Sequence, residues 1–198
     1  MLRKAIYPKI EGLLNQAAAK LNEQGFTPNQ LTFAGLALTF LAGCIYASGH
    51  FFLGALVLAI ASLGDLLDGP LARVTQKTTR FGAFLDSTVD RYSDFFIFGG
   101  LALYFARHYQ GFWLLMSLGI ILGSFITSYS KARAENFIET CSVGVFERAE
   151  RIIILIVASI IPPLFSFLMW TLFIGTHATA IQRILHTKKS LEPSKNNQ

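Results

Sequence analysis

The side chains best suited to chemistry are four aspartates within residues 65–90 of an otherwise apolar stretch. Asp65 and Asp68 are three residues apart, and Asp86 and Asp90 are four apart, so on helices each pair shares one face. The polar, basic stretch from residue 75 to 80 allows the two helices to turn back on each other, which brings the four carboxylates together. Carboxylates this close repel one another unless bound cations neutralise them. Oxygen-only ligands favour a hard divalent ion such as Mg²⁺ or Mn²⁺.

These aspartates belong to a longer pattern with fixed spacing. Its members are Asp65, Asp68-Gly69, Ala72-Arg73, Gly82, Asp86 and Asp90. At every fixed position the pattern resembles the signature of the CDP-alcohol phosphotransferase family. The segment Thr27-Pro28-Asn29, followed by Leu31-Thr32, also resembles the one that precedes the first transmembrane helix in that family.

The resemblance implies a donor, a leaving group and a metal site. The donor would be a CDP-linked lipid such as CDP-diacylglycerol, and CMP would leave. Two Mg²⁺ ions, or Mn²⁺, would be bound: Asp65, Asp68 and Asp86 would hold the first, and Asp65, Asp86 and Asp90 the second. Asp90 would also act as the general base that deprotonates the acceptor hydroxyl.

The resemblance also implies a nucleotide pocket. Its residues would be Asn29, Thr32, Asp68, Gly69, Ala72 and Arg73, with Arg73 on the phosphates. Gly69 and Ala72 are small enough for a ligand to approach the helix backbone closely. Two structural alternatives remain open: the small residues could serve helix packing, and the acids could simply pair with Arg73, Arg80 and Arg91.

The acceptor is indicated by the segments 130–135 and 147–151. They resemble the corresponding segments of the prokaryotic phosphatidylinositol phosphate synthases in this family, whose acceptor is inositol 1-phosphate. A phosphate needs a basic pocket, and Lys131, Arg133, Arg148 and Arg151 would supply it. Bases at cytoplasmic helix ends are also what the positive-inside rule predicts. Glycerol 3-phosphate is the alternative acceptor, because it carries a phosphate as well.

The composition predicts an all-α integral membrane protein of one domain. The chain has 198 residues, is 53% hydrophobic and only 15% charged, and has a mean hydropathy of +0.48. Residues 1–187 would form the membrane domain, with transmembrane helices near 31–48, 52–74, 82–106, 112–132, 146–162 and 164–184. Residues 1–25 would form an amphipathic helix on the membrane surface or packed on the protein. Residues 188–198 would be a disordered tail.

The basic residues predict the orientation in the membrane. Fifteen of the 17 lysines and arginines fall on one side of a six-helix arrangement, grouped within residues 3–20, 73–80, 131–151 and 183–195. By the positive-inside rule, both termini and the acids face the cytoplasm of a multi-pass inner-membrane protein. The resemblance implies a homodimer, and no nucleic-acid partner is expected. The alternative of another class is a divalent-cation transporter, which predicts acids near the bilayer midplane and helices broken there.

Overall fold

The computed structural model describes residues 2–75 and 79–192, with side chains described from Glu11 onward. The side chains of Arg3, Lys4 and Lys9, and the residues Lys77 and Lys195, all used above for orientation, lie outside this description. Within the described residues, seven α-helices follow one another: α1 Leu2–Glu23, α2 Pro28–Ala47, α3 Phe51–Val74, α4 Arg80–Arg107, α5 Gly111–Ala134, α6 Arg148–Ile160 and α7 Phe165–Leu191. A 3₁₀ turn, Pro162–Leu164, precedes α7. The described residues contain no strand, which confirms the all-α prediction.

Two helix starts near the acids are fixed by threonine caps. Thr27 and Gln30 form a capping box, in which the Gln30 amide donates to Thr27 Oγ1 at 3.4 Å and the Thr27 amide donates to Gln30 Oε1 at 2.9 Å. At the start of α4 the Gly82 amide donates to Thr79 Oγ1 at 2.9 Å. These caps satisfy backbone N–H groups that the first helical turn cannot pair by itself.

The helices pack around α2 and α4. Helix α2 contacts α3 and α4, α4 also contacts α5, α5 contacts α7, and α6 lies against α3 and α7. The close approach of α2 to α4 depends on glycine, because a Cβ on Gly43 would overlap the carbonyl of Phe96 and a Cβ on Gly100 would overlap the carbonyl of Gly43. Small residues at such crossings are how membrane helices pack closely without a hydrophobic driving force.

In the part of the chain that the structure describes, four helical segments are long and apolar enough to cross a membrane: Pro28–Ala47, Phe51–Val74, Gly111–Ala134 and Pro162–Leu191. Many of their large apolar side chains are exposed, including Ile60, Leu115 and Phe167, as a lipid-facing surface requires. All six predicted segments are helical, but α4 carries the acids and is more polar. Helix α6 has 13 residues, about 20 Å, which is shorter than the roughly 30 Å hydrocarbon core.

The structure near the two ends of the chain can be compared with the predicted surface helix and the predicted disordered tail. Helix α1 contacts α3 and α6, while Leu13 on its surface stays exposed. The predicted disordered tail is wrong for residues 188–191, because α7 continues to Leu191. Lys188 and Lys189 in the last turn suit the negative end of the helix dipole, and Lys188 pairs with Glu192 at 3.5 Å. Residues 193–198 lie outside the described part.

The contact between α2 and α4 gives a stability prediction. Gly100→Ala should destabilise the protein by about 1–3 kcal/mol, because the new methyl group meets backbone that cannot rotate away. Gly99→Ala is the matched control, since a Cβ there meets nothing within 4 Å. Thermal unfolding of the two variants in detergent measures the difference. Equal midpoints would show that this crossing does not limit stability.

Candidate active site

The acids are connected through one arginine at the start of α6. Arg148 Nη1 lies 2.7 Å from Asp65 Oδ2 on α3 and 2.5 Å from Asp90 Oδ1 on α4. The other oxygen of Asp90 accepts from Arg91 Nη2 at 3.2 Å. A single guanidinium therefore ties three helices together and compensates carboxylates that repel each other. The alternative that the acids pair with arginines is thus partly realised, through Arg91, which it named, and through Arg148, which it did not.

A fifth acid, which the sequence analysis did not single out, continues the series on α4. Asp94 is one turn beyond Asp90 and is fully buried. Its Oδ2 accepts from Arg151 Nη2 at 2.6 Å, and the Arg151 side chain is 1% exposed. Arg151 was predicted to face the acceptor, but the structure uses it in this buried ion pair. The spacing of Asp86, Asp90 and Asp94, every four residues, is the signal that could have indicated Asp94 as a member of the acidic series.

The loop before α6 is fixed on its neighbours, and this places Arg148. Arg183 of α7, 3% exposed, donates from Nη1 to the Thr127 carbonyl at 2.6 Å and from Nε to the Val143 carbonyl at 3.0 Å. The Phe146 amide donates to Thr179 Oγ1 at 3.2 Å, and Arg151 Nη1 donates to the Phe146 carbonyl at 3.2 Å. Arg183 was predicted only as part of the basic tail, yet it connects α5, α7 and this loop.

A cavity of about 270 Å³ opens beside the acids, among the starts of α2 and α4 and the last turns of α3. It is lined by Pro28, Asn29, Thr32, Asp68, Gly69, Ala72, Arg73, Thr79, Gly82, Ala83 and Asp86. All six residues predicted for the nucleotide pocket are in this set, so the structure brings them to one place. Thr79 and Ala83 were missed, although the neighbouring Gly82 belongs to the motif.

The cavity is electrostatically suited to phosphate. Helices α2 and α4 both begin at it, so the positive ends of two helix dipoles lie at its edge. Gly82 permits the Thr79 cap, because a Cβ there would lie 3.1 Å from Thr79 Oγ1. A pyrophosphate bound here would lie next to Asp68 and Asp86, where a cation is needed to offset the repulsion.

A glycine on α2, also missed by the sequence analysis, approaches Asp65. A Cβ on Gly35 would lie 2.8 Å from Asp65 Oδ1. Asp65 thus has Arg148 on one oxygen and the α2 backbone close to the other. Only glycine leaves the carboxylate in this position, and nothing in an apolar helix marks one glycine as different from another.

The predicted acceptor residues are distributed differently from the nucleotide residues. None of Lys131, Arg133, Arg148 and Arg151 is among the residues that line the cavity. Arg148 joins the acids and Arg151 is buried. Lys131 is half-buried in the last turn of α5, and Arg133 is exposed with its guanidinium 4.8 Å from the centre of the Phe137 ring.

The chemistry of the acids fits a divalent ion. The donors are carboxylate oxygens only, which hard cations prefer. Between Asp65 and Asp90, the Arg148 guanidinium supplies the positive charge that a bound ion would otherwise supply. Across residues 11–75 and 79–192, no three His, Cys, Asp or Glu side chains are grouped closely enough to hold one ion as they stand. The ligand set of Asp65, Asp68, Asp86 and Asp90 therefore stays a prediction.

A larger cavity, about 670 Å³, lies at the other end of α3, between Phe51 and the Pro162 turn. Its lining is mainly apolar and includes Phe52, Leu53 and Phe165. This larger cavity lies more than three helical turns along α3 from Asp65 and is therefore remote from the acids. The candidate active site consists of the acids and the smaller cavity beside them.

Carboxylates beside backbone N–H groups that suit phosphate are typical of enzymes that transfer phosphoryl-linked groups, and the apolar helices place this one in a membrane. The family model described as CDP-alcohol phosphatidyltransferase matches residues 26–182. The chain belongs to this family and is a transferase. It is 39% identical to the archaetidylinositol phosphate synthase of Pyrococcus horikoshii, over 97% of this chain and 99% of the relative.

The chain is also similar in sequence and structure to bacterial phosphatidylinositol phosphate synthases. The phosphatidylinositol phosphate synthase of Streptomyces avermitilis is 35% identical over 96% of this chain and 83% of its own. The crystal structure of the Mycobacterium tuberculosis phosphatidylinositol phosphate synthase with CDP-DAG bound superposes with a TM-score of 0.82 at 32% identity, covering 93% of this chain and 97% of the other. The complex of that enzyme with manganese and citrate gives 0.81 at 33% identity, covering 93% and 92%.

The contact at Gly35 gives a prediction about the metal. Gly35→Ala should leave the fold intact, because the Asp65 carboxylate can rotate away from the methyl group, but that rotation misplaces a predicted ligand. We expect the Mn²⁺ concentration for half-maximal activity to rise about tenfold or more, the size typical when a ligand loses its support.

Gly64→Ala is the matched control, because it adds a methyl group next to Asp65 in the chain where a Cβ meets nothing within 4 Å. A titration of activity with Mn²⁺ compares the two variants. An unchanged Mn²⁺ requirement in Gly35→Ala would show that this approach of α2 does not position Asp65.

Proposed function

We propose that the chain transfers a phosphatidyl or archaetidyl group from a CDP-lipid to inositol 1-phosphate, releasing CMP. The observation that carries the proposal is the cavity at the starts of α2 and α4, which collects every residue predicted for the nucleotide and adjoins the acids. The printed names of the relatives, archaetidylinositol phosphate synthase and phosphatidylinositol phosphate synthase, support the acceptor. The relative with CDP-DAG bound supports the donor.

In this proposal the nucleotide enters the cavity and the lipid tails remain in the bilayer. Gly69 and Ala72 leave room for the ligand against α3, and Asn29 and Thr32 face it from α2. Arg73, on the same cavity wall, contacts the phosphates, and the N-terminal N–H groups of α2 and α4 add partial positive charge. The diphosphate is thereby held at Asp68 and Asp86.

Asp90 is proposed as the general base. The acceptor hydroxyl loses its proton to Asp90, its oxygen bonds to the phosphorus that carries the lipid, and the bond from that phosphorus to the CMP oxygen breaks. When bound at Asp65, Asp68, Asp86 and Asp90, two Mg²⁺ ions would neutralise the diphosphate and the leaving CMP. Asp90 is 19% exposed, which leaves a limited path for the acceptor hydroxyl to reach it.

The acceptor's phosphate is proposed to bind on the α5–α6 side. Arg148 begins α6 next to Asp90, and Lys131 lies in the last turn of α5. A guanidinium matches the geometry of phosphate oxygens. Arg133 remains a weaker predicted contact, and Arg151 is proposed to position the start of α6 through Asp94 and Phe146 rather than to touch the acceptor.

The arrangement in the membrane is also a proposal. Six helices, α2 to α7, would cross or enter the bilayer of the inner membrane, with α1 at its surface. Both termini and the acids would face the cytoplasm, as the basic residues indicate. A homodimer follows from the family resemblance. The transporter alternative finds no support, since α3 and α4 continue as unbroken helices through the acids and the chain is a transferase.

The acceptor is tested by CMP release. Purified protein with CDP-diacylglycerol and Mg²⁺ is given inositol 1-phosphate, glycerol 3-phosphate, free inositol or serine in parallel. We expect turnover with inositol 1-phosphate and at most trace turnover with the others. Preferred turnover of glycerol 3-phosphate would retain the chemistry and reassign the acceptor, and a second assay with a CDP-linked ether lipid separates donor from acceptor selectivity.

The general base is tested by substitution. Asp90→Asn should lower the rate of CMP release about 10²–10⁴-fold, because the amide cannot accept the proton. The binding of CDP-lipid should change much less, since Asp90 is not among the residues that line the cavity.

Glu139→Gln serves as the control, because it removes an exposed carboxylate between α5 and α6, away from the acids. Its rate should equal that of the unmodified protein. If Asp90→Asn kept a tenth or more of the rate at saturating metal, Asp90 would not be the base.

A further inference from the structure

Arg148 contacts the same two carboxylates that the proposed metal site requires. Its Nη1 lies 2.7 Å from Asp65 Oδ2 and 2.5 Å from Asp90 Oδ1, and the side chain is 18% exposed. A guanidinium in this position and a divalent ion on these oxygens would repel each other at close range, where the low polarity of the surroundings weakens screening. The two cations therefore cannot occupy these carboxylates independently.

The other buried arginines near α6 have partners elsewhere. Arg151 pairs with Asp94, a residue outside the proposed ligand set. Arg183 donates to the carbonyls of Thr127 and Val143 and to Glu147 Oε1 at 3.4 Å. Arg148 differs from both because its partners are themselves proposed metal ligands.

We propose that Arg148 is an exchangeable internal cation, displaced from Asp65 and Asp90 by the divalent ion and thereby delivered to the phosphate of the acceptor. This inference rests on the proposed function. The backbone of Arg148 does not need to move, because Arg183, Thr179 and Arg151 hold the preceding loop. Rotation of one long side chain is enough. Metal binding then favours acceptor binding, and the acceptor favours the metal by the same factor.

The exchange makes a prediction about metal affinity in the absence of turnover. Arg148→Ala should bind Mn²⁺ about tenfold more tightly, a typical size for such coupling, because the competing cation is gone. Lys189→Ala is the control: it also removes one positive charge, but from an exposed side chain in the last turn of α7. Its Mn²⁺ affinity should change less than threefold, as expected for a screened charge. Electron paramagnetic resonance of free Mn²⁺ measures both, using the full chain in nanodiscs without CDP-lipid.

The second readout is the coupling itself. Calorimetry gives the affinity for inositol 1-phosphate with and without Mn²⁺; we expect about a tenfold gain with Mn²⁺ in the unmodified protein and in Lys189→Ala. In Arg148→Ala the gain should fall to less than twofold. If the gain persists in Arg148→Ala, direct attraction between metal and phosphate causes it and the exchange is wrong. Unchanged or weaker Mn²⁺ binding in Arg148→Ala would also overturn it.

Two further measurements keep the result interpretable. If Arg148→Ala does not fold, Arg148→Gln removes the charge while keeping a hydrogen-bonding side chain, and the same outcomes apply. If the unmodified protein binds no inositol 1-phosphate, the titration is repeated with glycerol 3-phosphate. Coupling that appears there and vanishes in Arg148→Ala would reassign the acceptor and leave the exchange standing, whereas tighter Mn²⁺ binding is tested without any acceptor.

Discussion

Charge compensation between α3, α4 and α6 is the interaction on which the rest of the structure depends. An acid within a membrane helix costs roughly 2.5–3.5 kcal/mol, and here Asp65, Asp90 and Asp94 lie together on adjoining helices. Arg148 and Arg151, three residues apart at the start of α6, meet them in two successive layers. The Arg151–Asp94 pair is buried, and removing one partner of such a pair costs about 3–5 kcal/mol, because the other charge remains unpaired. These pairs connect the start of α6 to α3 and α4 by charge, while Ile152 and Leu155 farther along α6 join the apolar core.

Close helix packing then determines where a ligand can enter. Gly43 and Gly100 allow α2 and α4 to touch toward the C-terminal ends of both helices. Nearer the acids, the first turns of both helices and the small residues Gly69 and Ala72 line an open space, which is the cavity. The same end that holds the carboxylates therefore also presents two helix N-termini. The positive helix ends attract the nucleotide diphosphate, and the negative aspartates attract the divalent ion. Both ligands are therefore drawn to the same place.

The sequence predicted which residues form this site better than it predicted the ion pairs that join them across helices. Fixed spacing in a helix was sufficient to expect Asp65 and Asp68 to share a face, because that follows from local geometry. The family resemblance, rather than spacing, indicated Asn29 and Thr32. The partners of Arg148 and Arg151 depend on how α6 docks against distant helices, which no local pattern encodes. Gly35 was missed for the same reason. The end of α7 was misjudged because a polar composition was taken for disorder, although lysines stabilise a helix C-terminus.

The most direct test of this account is the anomalous diffraction of Mn²⁺ in crystals of the protein grown with CDP-diacylglycerol. The account predicts manganese peaks bounded by Asp65, Asp68, Asp86 and Asp90, with the cytidine between α2, α3 and α4 against Gly69 and Ala72. In the same map, the Arg148 guanidinium should have left Asp65 and Asp90. Manganese bound away from these aspartates, or a nucleotide outside this cavity, would contradict the assignment of the site.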